Sequence, residues 1–393
     1  MYDKHQLGQL THRVKNSALQ DMLAEASRPG ILSFALGLPA AELFPSAAYA
    51  QVIAQVLSDD QRAMQYGPPF QPLKEHISKL MALREVECKP EQIFLTTGAQ
   101  QGISLLARLL LDSGRQVMAE EMIYTGFQQV IESYQLEVLT VPTNIETGMD
   151  VHTVQAILDK GARPAFIYAV TDGHNPLAVS MSQDNRAHLV ELAKQYRIPI
   201  IEDDPYGFLY YQDKPIPPLR AFDDQWVLYV GSFSKILAPA LRVGWVIVPE
   251  ALITDLSNLK EASDINTSNL NQRAISSYID AGHLDTHLPM LRSEYRVRRD
   301  SMLRALGRHF PRTSRWRAPI SGLFIWVELP KEVDTCEVLK VALETERIAF
   351  IPGQAFCVKN ASQATHCMRL NFSNPSAESI EEGIARLARV LKR

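Results

Sequence analysis

The stretch Tyr229-Val-Gly-Ser-Phe-Ser-Lys235-Ile-Leu-Ala-Pro-Ala-Leu-Arg242-Val-Gly-Trp245 places one lysine among hydroxyls, glycine and an arginine at the end of an apolar run. Val227 to Val230 reads as a buried strand and Val243 to Val248 as a second with Gly244 inside it, so the polar cluster lies between two core elements. A lone Lys between serines is usually a solvated loop cation, and it is the flanks that argue otherwise. Ser232 and Ser234 can donate to phosphate oxygens, and Arg242 can pair with a phosphate as a planar fork. Lys235 can form an imine with a carbonyl once burial and neighbouring positive charge lower its pKa.

These three demands together describe a phosphorylated aldehyde, and pyridoxal 5′-phosphate meets them. Composition sets the frame. A chain of 393 residues exceeds one compact core, so two domains are expected. A net charge of -4, with 21% charged residues, carries no basic excess that would point to nucleic acid, leaving small molecules or a second copy as partners. Cys88, Cys336, Cys357 and Cys367 form no CxxC pair and have no histidine at zinc-finger spacing, so plain thiols and no metal site are expected. The N-terminus lacks a basic stretch followed by an apolar one, and no apolar run is long enough to span a bilayer, so a cytoplasmic protein is expected.

From Phe94 to Val248 short apolar strands alternate with helical patterns, the signature of a mainly parallel α/β sheet with helices on its faces. Strands are predicted at Phe94 to Thr97, Val117 to Glu120, Ala165 to Val170 and Pro199 to Glu202. Helices are predicted from Gly98 through Leu111 and from Arg186 to Tyr196. Ligands of such sheets gather beyond the carboxyl ends of the strands, where every candidate residue here falls. After Ala281 the pattern becomes that of a smaller α+β unit. It has a charged helix from His283 to Arg308, a strand from Leu323 to Leu329 and an amphipathic terminal helix from Ser376 to Leu391. Arg292, Arg296, Arg298 and Arg299 read as a solvated face of that first helix. The division expected is an N-terminal arm with the first part of the small domain over 1-44, a large domain over 45-281 and a small C-terminal domain over 282-393.

Several separated motifs occur in one order: Ser33-Phe-Ala-Leu-Gly-Leu-Pro39 with Glu42-Leu-Phe-Pro45, Gln65-Tyr-Gly-Pro68, Thr97-Gly-Ala-Gln-Gln101, Asn175-Pro176, Glu202-Asp-Asp-Pro-Tyr206, the lysine segment and Arg369-Leu-Asn-Phe372. In this joint order the chain resembles, over nearly its whole length, the fold-type I pyridoxal-phosphate aminotransferases of class I/II, a group that includes the aminoadipate and kynurenine enzymes. The resemblance implies that Lys235 is both the cofactor's anchor and the general base that moves the substrate proton. It implies that Asp203 keeps the pyridine nitrogen protonated; Asp204 is the adjacent alternative, and the Asp-x-x-Tyr spacing favours Asp203. Tyr206 and Asn175 resemble the groups that hydrogen-bond the cofactor's phenolate oxygen, although Asn-Pro alone also reads as a turn.

Gly98, Ala99 and Gln100 offer backbone amides at a helix start, which suits a phosphate. A glycine there is often only a turn. Tyr124 matches the aromatic stacked on the pyridine ring, with a core tyrosine as the plain alternative. Tyr66 resembles the residue that reaches the phosphate of the neighbouring subunit, which implies a homodimer with composite sites. Gly37 and Asn175 are expected beside the substrate, and Arg369 resembles the arginine that takes the α-carboxylate as a bidentate pair and draws the small domain closed.

Departures from the family bear on specificity. Asn175-Pro-Leu177-Ala178 stands where relatives read Asn-Pro-Thr-Gly, and Leu36-Gly37-Leu38-Pro39 where they read Gly-Gly, two changes expected to add apolar bulk near the substrate. Ser17-Ala-Leu19 is followed by Gln20 where the aminoadipate and kynurenine relatives often carry arginine. A donor amino acid with a neutral, apolar or aromatic side chain and a 2-oxo acid acceptor are therefore expected. Another pyridoxal-phosphate reaction, such as decarboxylation, elimination or oxidative deamination, is the alternative. A regulator carrying a winged-helix domain is disfavoured, since only about thirty residues precede Phe34.

Overall fold

The computed structural model describes residues 28–111 and 116–392. The departure at Gln20, after Ser17-Ala-Leu19, lies outside them.

A seven-stranded sheet organises the larger part of the molecule. Its strands are β1 (Ile93–Thr96), β2 (Gln116–Glu120), β3 (Glu137–Val141), β4 (Ile167–Ala169), β5 (Ile200–Asp203), β6 (Val227–Ser232) and β7 (Gly244–Ile247), in the order β1-β7-β6-β5-β4-β2-β3. Neighbours run parallel except at β7, which is antiparallel to both β1 and β6. Every residue of β6 is buried, which is why it reads as an unbroken apolar run rather than an alternation. Successive residues still serve opposite faces: Val227 and Ile200 pack with Leu189 and Val190 on one side, and Leu228 and Ile201 with Ile103 and Leu106 on the other.

The predicted strands and helices are present, with ends displaced by at most three residues. β3 went unread, because Glu137-Val-Leu-Thr-Val141 is an edge strand with an exposed first residue and looks like the end of the preceding helix.

A second, antiparallel sheet contains β8 (Arg315–Trp316), β9 (Phe324–Glu328), β10 (Ile351–Pro352) and β11 (Cys367–Asn371), in the order β8-β9-β11-β10. The helices His283–His309 and Ala377–Val390 pack with it in one core, where Tyr295, Met302 and Leu306 share a cluster with Ile380, Ile384 and Leu387. Leu32–Ser33 pairs in parallel with Ile348–Ala349, which brings the start of the described chain onto this later unit.

The arginines of the long helix are not the solvated face expected of them. Arg298 is buried, donates to the carbonyl of Ser373 at 2.7 Å and pairs with Glu42 at 2.8 Å. Arg292 and Arg299 lie over the rings of Tyr210 and Tyr211 at 4.0 and 5.0 Å. Only Arg296 of the four is exposed. Long guanidinium side chains satisfy carbonyl ends and cover aromatic faces at once, so charge density alone misjudged this face. Among the described residues, no helix is long and apolar enough to cross a membrane.

Candidate active site

The strand directions bring the candidate residues together. β1, β5 and β6 end on the same edge of the large sheet, and β7, running the other way, begins there. Asp203 at the end of β5, Gly98 and Lys235 shortly after the ends of β1 and β6, and Arg242 shortly before β7 therefore meet. Asp203, Lys235 and Arg242 border a cavity of about 710 Å³, which Ala99 lines next to Gly98 and which Leu36, Gly37, Ile351 and Arg369 close on its far side.

At one end lies a set of donors. The Ser232 hydroxyl donates to Ser234 Oγ at 2.9 Å and accepts the Ser234 N–H at 3.1 Å. Arg242 reaches Ser234 Oγ at 3.4 Å through Nη1 and the Thr97 carbonyl at 3.0 Å through Nη2. The helix Ala99–Leu110 opens here without a side-chain cap, so its first amides remain for a ligand. Gly98 precedes it with φ +86°, and a Cβ there would stand 2.3 Å from Arg242 Nη2, so glycine is required both by conformation and by the approach of the guanidinium. Ala99 and Gln100 line the cavity itself.

Lys235 Nζ lies at the centre and donates to the Gly37 carbonyl at 2.7 Å. Burial, with Arg369 and Arg242 nearby, lowers its pKa to about 8, well below that of a free lysine.

The three consecutive acids of β5 and its end divide their work. Glu202 accepts from the Thr171 hydroxyl and from the Leu219 and Arg220 amides at 2.7, 2.7 and 2.9 Å. Asp204 accepts from Arg84 and from the Tyr229 hydroxyl, both at 3.0 Å. Asp203 alone lines the cavity. Its Oδ2 accepts from the Tyr168 hydroxyl at 2.6 Å, while Oδ1 is buried without a partner. Burial, with Asp204 alongside, pushes its pKa up to about 7 against the Tyr168 hydrogen bond.

Asn175, Tyr206 and Arg369 form the opposite corner. Arg369 donates to Asn175 Oδ1 and to the Ala35 carbonyl, each at 2.5 Å, and its guanidinium lies 4.1 Å over Phe324 and 4.8 Å over Phe356. Its Nε is buried and unpartnered, and burial lowers its pKa to about 10. Tyr206 is buried beside Asn175, and its ring meets Phe324 edge-on at 5.8 Å. Tyr124 caps the helix Thr125–Tyr134 and lines the cavity.

Tyr66 stands apart from this constellation, 74% exposed on the surface. Leu36 and Leu38 do line the cavity. Leu177 does not: it is buried with Val179, Trp326 and Phe356, so the bulk expected of it near the substrate falls elsewhere. Sequence reasoning missed Tyr168, which stacks on Phe127 at 3.7 Å and holds Asp203. A tyrosine inside a buried strand carries no mark that separates it from core. The Phe324–Phe356 pair around Arg369 was missed for the same reason.

These residues fit pyridoxal 5′-phosphate. The unpartnered Asp203 oxygen awaits a cationic N–H. The donors at the helix start and Arg242 suit a phosphate, and the amine of Lys235 suits an aldehyde.

The family described as "Aminotransferase class I and II" matches residues 30–387. The chain is 34% identical to aromatic-amino-acid aminotransferase 1 of Thermococcus litoralis, over 96% of this chain and 92% of that protein. The multiple substrate aminotransferase of Thermococcus profundus superposes with a TM-score of 0.90 at 34% identity, covering 98% of this chain and 97% of that one. LysN, the α-aminoadipate aminotransferase of Thermus thermophilus, solved with N-(5′-phosphopyridoxyl)-L-leucine, gives a TM-score of 0.89 at 32% identity, with 98% and 97% covered. The chain belongs to the class I and II aminotransferases, fold-type I enzymes that work with pyridoxal 5′-phosphate.

Proposed function

We propose that this aminotransferase takes its amino group from an amino acid with a neutral, apolar or aromatic side chain and passes it to a 2-oxo acid. The count of cations around the cavity carries the reading. Among the described residues, those lining it are Lys235, Arg242 and Arg369. Lys235 is committed to the aldehyde and Arg242 to the phosphate, so Arg369 remains for one carboxylate and none remains for a second. Glu132 at the rim would repel a second one, and Leu36, Leu38, Ile351 and Ala355 offer apolar surface to a side chain.

When bound, the cofactor supplies a ring that accepts the electron pair released at the substrate α-carbon. Asp203 would hold the proton on the ring nitrogen. Tyr206 and the Asn175 amide would donate to the phenolate oxygen, the Asn175 carbonyl oxygen being engaged by Arg369. Tyr124 would lie against the ring. Ser232, Ser234, Arg242 and the amides of Ala99 and Gln100 would hold the phosphate. Lys235 Nζ would take the α-proton, and its lowered pKa leaves roughly a tenth of it neutral at pH 7, against well under a hundredth for a free lysine.

The reading extends to a homodimer in which Tyr66 completes the partner's phosphate site. Its support is the exposure of Tyr66 and of its neighbour Met64, at 74% and 79%.

The test is a donor panel on the cofactor-loaded enzyme, with the 2-oxo acids identified by mass. Phenylalanine and leucine should be used with kcat/KM well above that of 2-aminoadipate. The reverse order would remove the specificity assigned here.

A further inference from the structure

The departure at Leu177-Ala178 finds its place in a second cavity, of about 780 Å³, next to the one described above. Both side chains line it. Ala178 holds φ +59°, the left-handed conformation that favours glycine, so this chain carries a strained methyl group where its relatives read glycine. Val179, Ile320 and the indoles of Trp316 and Trp326 complete an apolar wall.

The polar groups are balanced. Arg317 pairs with Glu146, and Arg315 stands opposite Glu328 in the β8–β9 ladder. The Ser314 hydroxyl, 9% exposed, borders the cavity with no partner of its own. Two charges of each sign leave no net attraction for an ion, and two indoles with an unsatisfied hydroxyl suit a flat body with one hydrogen-bonding end.

The cavity also adjoins the carboxylate clamp. Trp326 is the cross-strand partner of Arg369, and its ring lies 6.4 Å from that of Phe356, which covers the Arg369 guanidinium. On the other side, Leu177 follows by two residues the asparagine that Arg369 holds.

We propose that this cavity binds a small, net-neutral molecule with an aromatic body and a hydrogen-bonding end, and that its occupancy alters the grip of Arg369 on the amino donor. The second half rests on the function proposed above; the first does not. The probe is N-acetyl-L-phenylalaninamide, which has neither the free amine nor the carboxylate that the reacting cavity engages.

Calorimetric titration of the cofactor-loaded full chain should show one saturable site per chain, retained in Arg369→Gln and weakened about tenfold in Trp316→Ala through the loss of buried aromatic surface. The double change Leu177→Thr with Ala178→Gly restores the relatives' residues, relieves the strain and should also weaken binding. The saturated site should shift KM for the donor in the parent enzyme and not in Trp316→Ala. Absence of saturable heat, or binding that survives Trp316→Ala and vanishes in Arg369→Gln, overturns the site. Binding with an unchanged KM overturns the coupling and leaves the site standing.

Discussion

At the edge of the large sheet, backbone places the chemistry: Asp203 ends a strand, Gly98 and Lys235 follow strand ends, and Arg242 precedes a strand start. Across the cavity Arg369 also sits within a paired strand, β11, but neighbouring groups aim its guanidinium. Arg369 is fixed by two aromatic faces, the Asn175 amide and the Ala35 carbonyl, drawn from four separate segments. A site held by strand ends inherits the rigidity of the sheet, whereas one held by side chains is adjustable, which suits a clamp that must grip and release. The difference can be tested from both sides.

On the sheet side, Lys235→Ala should lower kcat by roughly 10⁴-fold, the upper end for a positioned acid–base group, with little change in the thermal midpoint. A loss smaller than about tenfold would assign the proton transfer to another group.

The adjacent acids should then separate. Asp203→Asn should cost roughly 10²- to 10³-fold in kcat, because a preorganised charge is lost, while stability is kept, since burial already holds this carboxyl at a pKa of about 7. Asp204→Asn should do the opposite, costing about 1–3 kcal/mol of stability, because it takes from the buried Arg84 one of its two carboxylates and leaves it only Asp172. Thermal melts beside steady-state rates decide it, and similar melts for the two variants would mean that their environments do not differ as described.

On the clamp side, Arg369→Gln should reduce kcat/KM for amino acids by roughly 10²-fold, the cost of truncating a buried charged contact, and should spare an amine without a carboxylate, such as 2-phenylethylamine. Equal losses on both substrates would make Arg369 a wall of the cavity rather than its carboxylate contact.

The smallest effect is on pH. With Lys235 as the anchor, uptake of pyridoxal phosphate by the cofactor-free protein would need its neutral amine, so the rate should rise with pH and level off above about 8. Arg369 lowers that pKa, and Arg369→Gln should move the midpoint upward. A rate flat in pH would show that the amine is not what titrates.

The same contrast decides how much could be read from the sequence. Residues placed by backbone were visible, because strands, turns and helix starts have local signatures; hence Gly98, Asn175 and Lys235 were found where they lie. The spacing to Tyr206 favoured Asp203 over Asp204, but both are buried, and only the position of Arg84, 120 residues from Asp204, shows which is already engaged. The Leu177 side chain was expected at the substrate and lies in the neighbouring cavity, because a two-residue offset from Asn175 does not say which way a turn aims its side chains. Arg298 was read as solvated for want of any sign that Glu42 would meet it. Tyr168, Phe324 and Phe356 gave no signal, as their roles come from what they touch and not from what precedes them.

The reaction itself is best tested by single turnover: the cofactor-loaded enzyme is mixed with L-phenylalanine and no acceptor, and the products are counted by mass. Amino transfer predicts one equivalent of 2-oxo acid per active site and then arrest, with turnover resuming when a 2-oxo acid is added. Release of carbon dioxide, or sustained turnover without an acceptor, would contradict it.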